Sequence, residues 1–510
     1  MNRTRAGLWA ALLVSAPAAA SAAPEWLDKI SFSGYVQSDI RFDVEDYRGV
    51  KDGDGYKFST NRNDLDLRLE VTPIEQLAAV VDARLRFFGM MEVNTLVQTN
   101  DRNRVDPFSV QLDQAYLAVK GVPFKWMDLK LGRMVQTWGS ADMFNPTDNI
   151  NGHDFSDPMD FARKVPNQMV ELDLYPANWL TINAVWVPMF KPSQLPSSAS
   201  FGFAVERDAK GCLVGMPAPP LSAKNADALT NTFGQLDPCM LNFADPEVRT
   251  VLPSNNIDNS QVAVRARLRL GDLDLGLSYY YGRFSFPVAY TAVATTAPSA
   301  SDPSKIDVNY VAEVMYPRIQ VAGLDFSYTA PWMLDIGLVG EIALYFPEEV
   351  DFAVRAFNGT EKVLELRDVN VPSTPFIKAT VGMDYAFTSW LMVNAMYIHG
   401  FFDEFNDRYG LHNYVALTPR LSFKDDSVKI QISAILDCDD LSNQVNPELL
   451  WIVVPGVEVS LGAWIYGGST HALDKNGDGQ PDSMDYSARS KFGQKASGRN
   501  VAYLRAKAMW

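Results

Sequence analysis

The oxygen-rich run near the C-terminal end has the most chemistry in its spacing. Asp474, Asn476, Asp478, Asp482 and Asp485 stand at loop positions 1, 3, 5, 9 and 12, Gln480 supplies a backbone carbonyl at position 7, and Gly479 occupies position 6. Hard cations take oxygen ligands at this spacing, and the expectation is a calcium loop. Position 12 is Asp rather than a bidentate Glu, and no flanking helices are evident, so the affinity belongs to the modest extracellular range of roughly 10⁻⁴ to 10⁻³ M. A solvated acidic turn is the plainer reading of the same residues. Asp52-Gly53-Asp54-Gly55 is a weaker cluster of the same kind.

Three cysteines allow one disulfide. Cys212 and Cys239 lie in one long connection, and closing a loop of that size removes unfolded-chain entropy worth nominally about 3 to 4 kcal/mol. That pair is expected to be bonded, leaving Cys438 as the spare thiol, although pairing of Cys438 with either of the others stays open. The histidines are His153, His399, His412 and His471. None sits in a Gly-x-Ser-x-Gly or His-Glu-x-x-His constellation, so no enzyme is expected.

Charged residues recur at alternate positions. Arg265, Arg267 and Arg269 form one ladder; Asp64, Asp66, Arg68, Glu341, Lys378 and Asp384 share a polar face with it by the same alternation. They are candidates for the lining of a water-filled interior, where mixed charges can pair across strands. Polarity of that interior follows from the ladders; its selectivity does not.

The segment from Gln136 to Asn167 is wrong for an outer loop in water. Trp138, Met143, Phe144, Phe155, Met159 and Phe161 need somewhere apolar to pack. Folding into the lumen would supply it, with a tight turn at Asn145-Pro146-Thr147-Asp148 and a short helix beginning near Ser156-Asp157-Pro158. Asp142, Asp148, Asp157, Arg163 and Lys164 would then stand near a constriction. The alternative is that the segment covers the outer rim or packs on other loops.

Strands must position these residues. Ile30, Phe32, Gly34, Val36, Ile40 and Phe42 interleave with Ser31, Ser33, Tyr35, Gln37, Asp39 and Arg41, and similar ladders recur along the chain. Successive side chains on a strand point to opposite faces, so each ladder has one apolar and one polar face. A soluble sandwich fits any single ladder equally well; the connections separate the two. Every second one is short, as at Gly271-Asp272, Thr388-Ser389 and Pro455-Gly456, and the intervening ones are long, as from Lys191 to Ser260, Ser285 to Tyr316 and Pro347 to Ser373. Short periplasmic turns and long extracellular loops are the pattern of a transmembrane antiparallel β-barrel, here of about 18 strands. Trp179, Trp332, Trp390, Trp451 and Trp510 lie at or beside the short-turn rim, where amphipathic rings form an interfacial girdle.

The ends of the chain agree. Arg3 and Arg5 precede an apolar stretch and the small residues Ala20-Ser21-Ala22, the pattern of a secretory signal peptide over residues 1–22, with a barrel domain over 23–510. The apolar run is too short to span a bilayer as a helix, and no later stretch supplies the roughly 18 to 20 apolar residues a helix would need, so a membrane span must come from a closed barrel. The first strand follows the leader closely, leaving no room for the plug of a siderophore-type receptor. The last strand puts Ala502, Leu504, Ala506, Ala508 and Trp510 on one face and ends on an aromatic; Leu504 and Trp510 resemble the C-terminal insertion signal read by the barrel-assembly machinery. The 510 residues carry a formal charge of −16, which argues against nucleic acid as a partner.

The stretch LKLGRMVQTWGSADMFNPTDN, Leu129 to Asn149, resembles the Gly-Arg strand, Trp-Gly and Asn-Pro-Thr-Asp loop of a large proteobacterial family of outer-membrane barrels of unassigned function, distantly similar to alginate-export porins. MYPRIQVAGLDFS, Met315 to Ser327, and VGEIALYF, Val339 to Phe346, resemble later strands of that family. The resemblance implies an outer-membrane channel or export pore in a Gram-negative bacterium, passing a hydrophilic solute or polymer, surrounded by outer-membrane lipid and, for export, served by periplasmic partners. A structural or ligand-binding barrel with a closed lumen is the alternative.

Overall fold

Alternation becomes strand because it lets the backbone satisfy its hydrogen bonds between neighbours while each face meets a different environment. The computed structural model describes residues 29–44, 57–91, 93, 95–157, 162–195, 206–207, 213–215, 221–222, 224–225, 227–229, 237–243, 247–300, 302–406, 410–439, 441–467 and 500–510. Eighteen strands form one closed antiparallel barrel. They are β1 Ile30–Asp43, β2 Lys57–Ile74, β3 Leu77–Phe88, β4 Phe108–Lys120, β5 Met127–Met134, β6 Asn167–Ala177, β7 Leu180–Val187, β8 Gln261–Leu270 and β9 Leu273–Arg283. The circuit continues through β10 Arg318–Ala330, β11 Ile336–Pro347, β12 Phe376–Thr388, β13 Leu391–His399, β14 Asn413–Phe423, β15 Val428–Asp437, β16 Asn443–Val454, β17 Val457–Gly467 and β18 Val501–Met509.

Closure comes from β1, which pairs with β2 on one side and with β18 on the other. At that seam Trp510 N–H donates to Gly34 O at 3.1 Å and Gly34 N–H donates back to Trp510 O at 3.2 Å. A Cβ on Gly34 would strike the carbonyl of Asp66 on β2 and press on the Trp510 ring, so glycine lets β1 lie this near to β2 beside the seam.

The barrel is inside out relative to a soluble protein. On β1, Asp39 is fully buried and Arg41 nearly so, whereas Phe32 is 56% exposed and Val36 47%. On β12, Lys378 and Thr380 are buried while Ile377 and Val381 are exposed. Polar groups therefore face inward, and the outer wall is a band of exposed Leu, Val, Ile and Phe, an arrangement that suits a lipid surround. Trp179, Trp332, Trp390, Trp451 and Trp510 are all exposed at the short-turn rim. Turns there are tight: β8 and β9 are joined through Gly271 at φ +64, a left-handed position that glycine adopts without strain. No helix among the described residues is long and apolar enough to cross a membrane.

At the opposite rim two of the long connections are not loops. Ser285 to Tyr316 and Pro347 to Ser373 each form a hairpin, with strands Val288–Pro298, Ile306–Met315, Val350–Asn358 and Glu361–Val371. The hairpins pair with each other in parallel, Thr291 opposite Ala353, and Leu241–Phe243 and Glu247–Val251 add to Ile306–Met315 to make a six-stranded outer sheet. Its own core joins Leu221, Ala292, Phe352 and Val354.

Candidate functional site: the lumen and segment 135–166

Residues 135–166 connect β5 to β6, and their polar and apolar groups are tied to inward-facing wall residues far away in sequence. Trp138 is 2% exposed and donates its indole N–H to Asn183 Oδ1 on β7 at 3.1 Å. Glu341 on β11 receives the next stretch: Oε1 accepts from Ser140 N–H at 2.6 Å and Ala141 N–H at 2.8 Å, and Oε2 accepts from Thr147 Oγ1 at 2.8 Å and Thr147 N–H at 3.3 Å. Ser140 Oγ donates to Asp325 Oδ1 on β10 at 2.6 Å. Tyr345 Oη donates to Pro146 O at 2.8 Å, and Thr380 Oγ1 on β12 donates to Phe144 O at 2.9 Å. Irregular backbone inside a barrel must find such partners, because each unpaired buried polar group costs about 1–3 kcal/mol. Gly139 stands at φ +103, and a Cβ there would collide with the Glu341 carboxylate, so the anchor requires glycine.

The far end of the segment is fixed by ion pairs. Asp157 Oδ2 lies 2.6 Å from Arg41 and 2.9 Å from Arg62; Arg41 also pairs with Asp39 at 2.7 Å, and Arg505 reaches Asp39 at 3.2 Å. Arg163 pairs with Asp154 at 2.9 Å and with Asp113 of β4 at 3.5 Å. Lys164 Nζ lies 3.5 Å from Asp148 and 3.1 Å from His153 Nε2. Pro158, Met159 and Phe161, and with them the expected helix beyond Asp157, lie outside the described residues.

The residues singled out from sequence thus divide. Asp148, Asp157, Arg163 and Lys164 are buried or largely so in pairs that hold the segment, whereas Asp142 is exposed, with Asn394 Nδ2 at 3.4 Å. The part of the Asp142 carboxyl that neighbouring groups still shield from water, and then the nearby Asp384 carboxylate, push it above its ordinary range. Burial also raises that of Asp148, against the pull of Lys164. Among the wall charges, Asp64 pairs with Arg86 at 2.9 Å, Asp66 with Arg84 at 3.0 Å, and Arg265 with Asp325 at 2.5 Å. Glu341 is the anchor just described rather than a group facing open water. Lys378 donates to Phe401 O at 2.6 Å and lies over the rings of Phe284 and Tyr345. Asp384 accepts from Asn394 Nδ2 at 2.7 Å. Arg68 is half-exposed beside Asp82 and Glu70, and Arg267 and Arg269 are exposed toward the short-turn rim, Arg269 with Asp274 at 3.2 Å. Asp39, Arg41 and Arg62 were within reach of the alternation, which puts Asp39 and Arg41 on the polar face of β1, but nothing in the sequence ties them to Asp157.

Beyond the ion pairs, an apolar cluster on the long-loop side joins Trp138, Ile150 and Phe155 of the segment to Tyr280, Phe284, Phe286, Tyr345, Phe376 and Phe405. His153, Phe155 and Phe402 stack with ring centroids 4.6 to 5.5 Å apart. Between this cluster and the segment is a cavity of about 210 Å³. Cys239 is disulfide-bonded and Cys438 is free and exposed. Cys212, the calcium-type run 474–485, Asp52 and Asp54, His471 and the leader 1–22 lie outside the described residues.

No curated protein matches the chain. Among solved structures it is similar to OccAB3 of Acinetobacter baumannii, at 11% identity over 94% of this chain and 99% of that one with a TM-score of 0.46. OccAB4 of the same organism is similar at 9% identity, over 94% and 98% of the two chains, with a TM-score of 0.44. OmpT, an outer membrane protein of Vibrio cholerae, is similar at 10% identity, over 94% and 97%, with a TM-score of 0.37. The family described as "Protein of unknown function (DUF1302)" matches residues 31–366, and with most of the barrel inside that match the chain belongs to this family.

Proposed function

We propose that the protein is an outer-membrane channel of a Gram-negative cell, passing a hydrophilic solute or polymer passively through a lumen that residues 135–166 narrow. The observation that carries the reading is the combination of an apolar outer wall with a charged inner wall to which this segment is bonded at β1, β2, β4, β7 and β10–β13. A barrel of this strand number would leave a wide aqueous channel without such an insertion. The short turns then face the periplasm and the outer sheet faces the medium. The calcium-type run remains a proposed extracellular site, to be tested by calcium protection of that loop from proteolysis.

The aromatic packing in the long-loop half of the lumen favours a second reading, a barrel closed at rest. Planar-bilayer recording separates the two. The intact protein is expected to conduct, and deletion of Gly139 to Phe161 is expected to raise single-channel conductance severalfold and alter ion selectivity. Equal conductance before and after deletion removes the constriction; absence of conductance in both removes the channel.

A further inference from the structure

At the long-loop rim, the connection that enters β14 meets the one that leaves β15, and three side chains of metal-ligating type converge there. His412 Nδ1 lies 3.1 Å from Asp437 Oδ2, 3.2 Å from Asp437 Oδ1 and 3.6 Å from Asp439 Oδ2. One nitrogen thus faces three carboxylate oxygens, and its single proton can serve only one of them well. The carboxylates are held in place. Asp439 N–H donates to Asp437 Oδ1 at 2.9 Å, and Asn413 donates to Asp439 Oδ2 from its backbone N–H at 2.7 Å and from Nδ2 at 3.2 Å. His412 is placed by Glu404, whose Oε2 accepts its backbone N–H at 3.0 Å. Outer hydrogen bonds of this kind orient metal ligands. The separations also suit a coordination shell: zinc takes imidazole nitrogen and carboxylate oxygen at about 2.0–2.2 Å, which sets ligand atoms of a tetrahedral site about 3.3–3.6 Å apart. One atom from each of the three residues lies within 4.8 Å of the others. Access is graded, with the Asp437 side chain fully buried, that of His412 17% exposed and that of Asp439 42% exposed. An ion enters on the Asp439 side and takes the place of the proton between the ring and Asp437.

We infer that His412 Nδ1, Asp437 and Asp439 bind one divalent transition-metal ion of the zinc class, each residue giving one ligand atom and water completing the shell. An imidazole ligand selects for such ions and against calcium and magnesium, which take oxygen. The ion takes the Nδ1 lone pair, and the proton held there passes to Nε2 or to solvent. Two carboxylates and a neutral imidazole then balance its double charge. Bound metal pins the connection before β14 to the turn after β15. The site is separate from the calcium-type run, which offers oxygen ligands alone, and it stands whether or not the lumen conducts. Cys438, exposed between the two aspartates in sequence, is not one of the three ligands.

Isothermal titration with zinc chloride tests it, on the full-length protein in detergent, stripped with a chelator and then kept in excess calcium so that the calcium-type run is saturated. One zinc ion per chain is expected to bind, and magnesium is expected not to displace it. Asp439→Asn, at the exposed ligand, is expected to weaken zinc at least tenfold and His412→Ala further, with folding of both checked by gel mobility before and after heating. Cys438→Ser and His471→Ala are expected to keep the parent affinity. Because the ion binds the folded chain, zinc is also expected to raise the unfolding temperature of the parent and not that of Asp439→Asn. Absence of zinc binding, or parent affinity in folded Asp439→Asn and His412→Ala, leaves a histidine–aspartate pair only and overturns the inference. Loss of binding in Cys438→Ser or His471→Ala moves the ion to another ligand set and overturns it as well.

Discussion

Segment 135–166 and the outer sheet are both long connections between barrel strands, and they solve the same problem in opposite ways. The outer sheet pairs its backbone in ladders, so its charged side chains are free to stay in water around its own small core; Arg367 and Asp351, 3.6 Å apart, are an exposed pair on it. The described part of segment 135–166 has almost no regular structure, so its backbone borrows partners from the wall: Glu341, Tyr345 and Thr380 bond to it, and Asp325 accepts from the Ser140 hydroxyl. A self-satisfied connection meets the lumen by packing, here through Val288, Val350 and Val371 in the apolar cluster, rather than by lending out its backbone. A connection that borrows its partners is coupled to every wall residue that lends one.

Breaking the loan should therefore have the larger effect. Glu341→Ala leaves four donors of the segment, on Ser140, Ala141 and Thr147, without their acceptor, each unpaired buried group costing about 1–3 kcal/mol. The barrel strands are expected to remain, while the segment loosens: trypsin cuts after Arg163 or Lys164 in folded protein and single-channel conductance rises toward that of the Gly139 to Phe161 deletion. Resistance equal to that of the parent would mean that the segment is held without this anchor.

The buried ion pairs come next. Arg41→Ala leaves Asp157 and Asp39 short of a partner in a nearly dry setting, and breaking a buried pair on one side costs about 3–5 kcal/mol. Denaturant unfolding from micelles is expected to show a clear drop in midpoint. Arg367→Ala on the outer sheet removes one member of a solvent-exposed pair and is expected to leave the midpoint within error. Equal effects would erase the distinction between the two regions.

The sequence disclosed the barrel because alternation is local: Asp39 and Arg41 against Ile40 and Phe42 can be read within one strand. It disclosed that Trp138, Phe144 and Phe155 need cover for the same reason, since an apolar side chain announces burial wherever its partner is. It did not disclose the outer sheet. Residues 288–298, VAYTAVATTAP, have no strong polar alternation, and their pairing with 350–358 depends on two hairpins meeting in parallel across the rim. Nor did it show which charges face water. Asp157 and Arg41 are 116 positions apart, and Glu341 meets Ala141 across 200, so groups that read as pore lining are spent as fasteners.

Asp142 offers the smallest effect and the finest test of that division, being the one of the five proposed constriction charges that is exposed rather than held in an ion pair. Its carboxyl is raised by partial shielding from water and then by Asp384, so its protonated form is favoured in the folded protein relative to the unfolded chain. A raised acid contributes stability that is present below the unfolded value, ordinarily 3.8, and lost as pH rises through the higher folded value. For conduction the sign is that of charge. As pH falls from neutrality, Asp142 is neutralised before an ordinary aspartate would be, and cation preference should decline in a step whose midpoint lies above the usual aspartate range. Reversal potentials in a salt gradient, recorded between pH 7 and pH 4, check this. Asp142→Asn is expected to abolish the step and to start from the lower cation preference, while Asp157→Asn, whose carboxylate is occupied by Arg41 and Arg62, should leave the step in place. A step that survives Asp142→Asn would assign the open charge to another wall residue, Asp384 first, and would remove Asp142 from the proposed constriction.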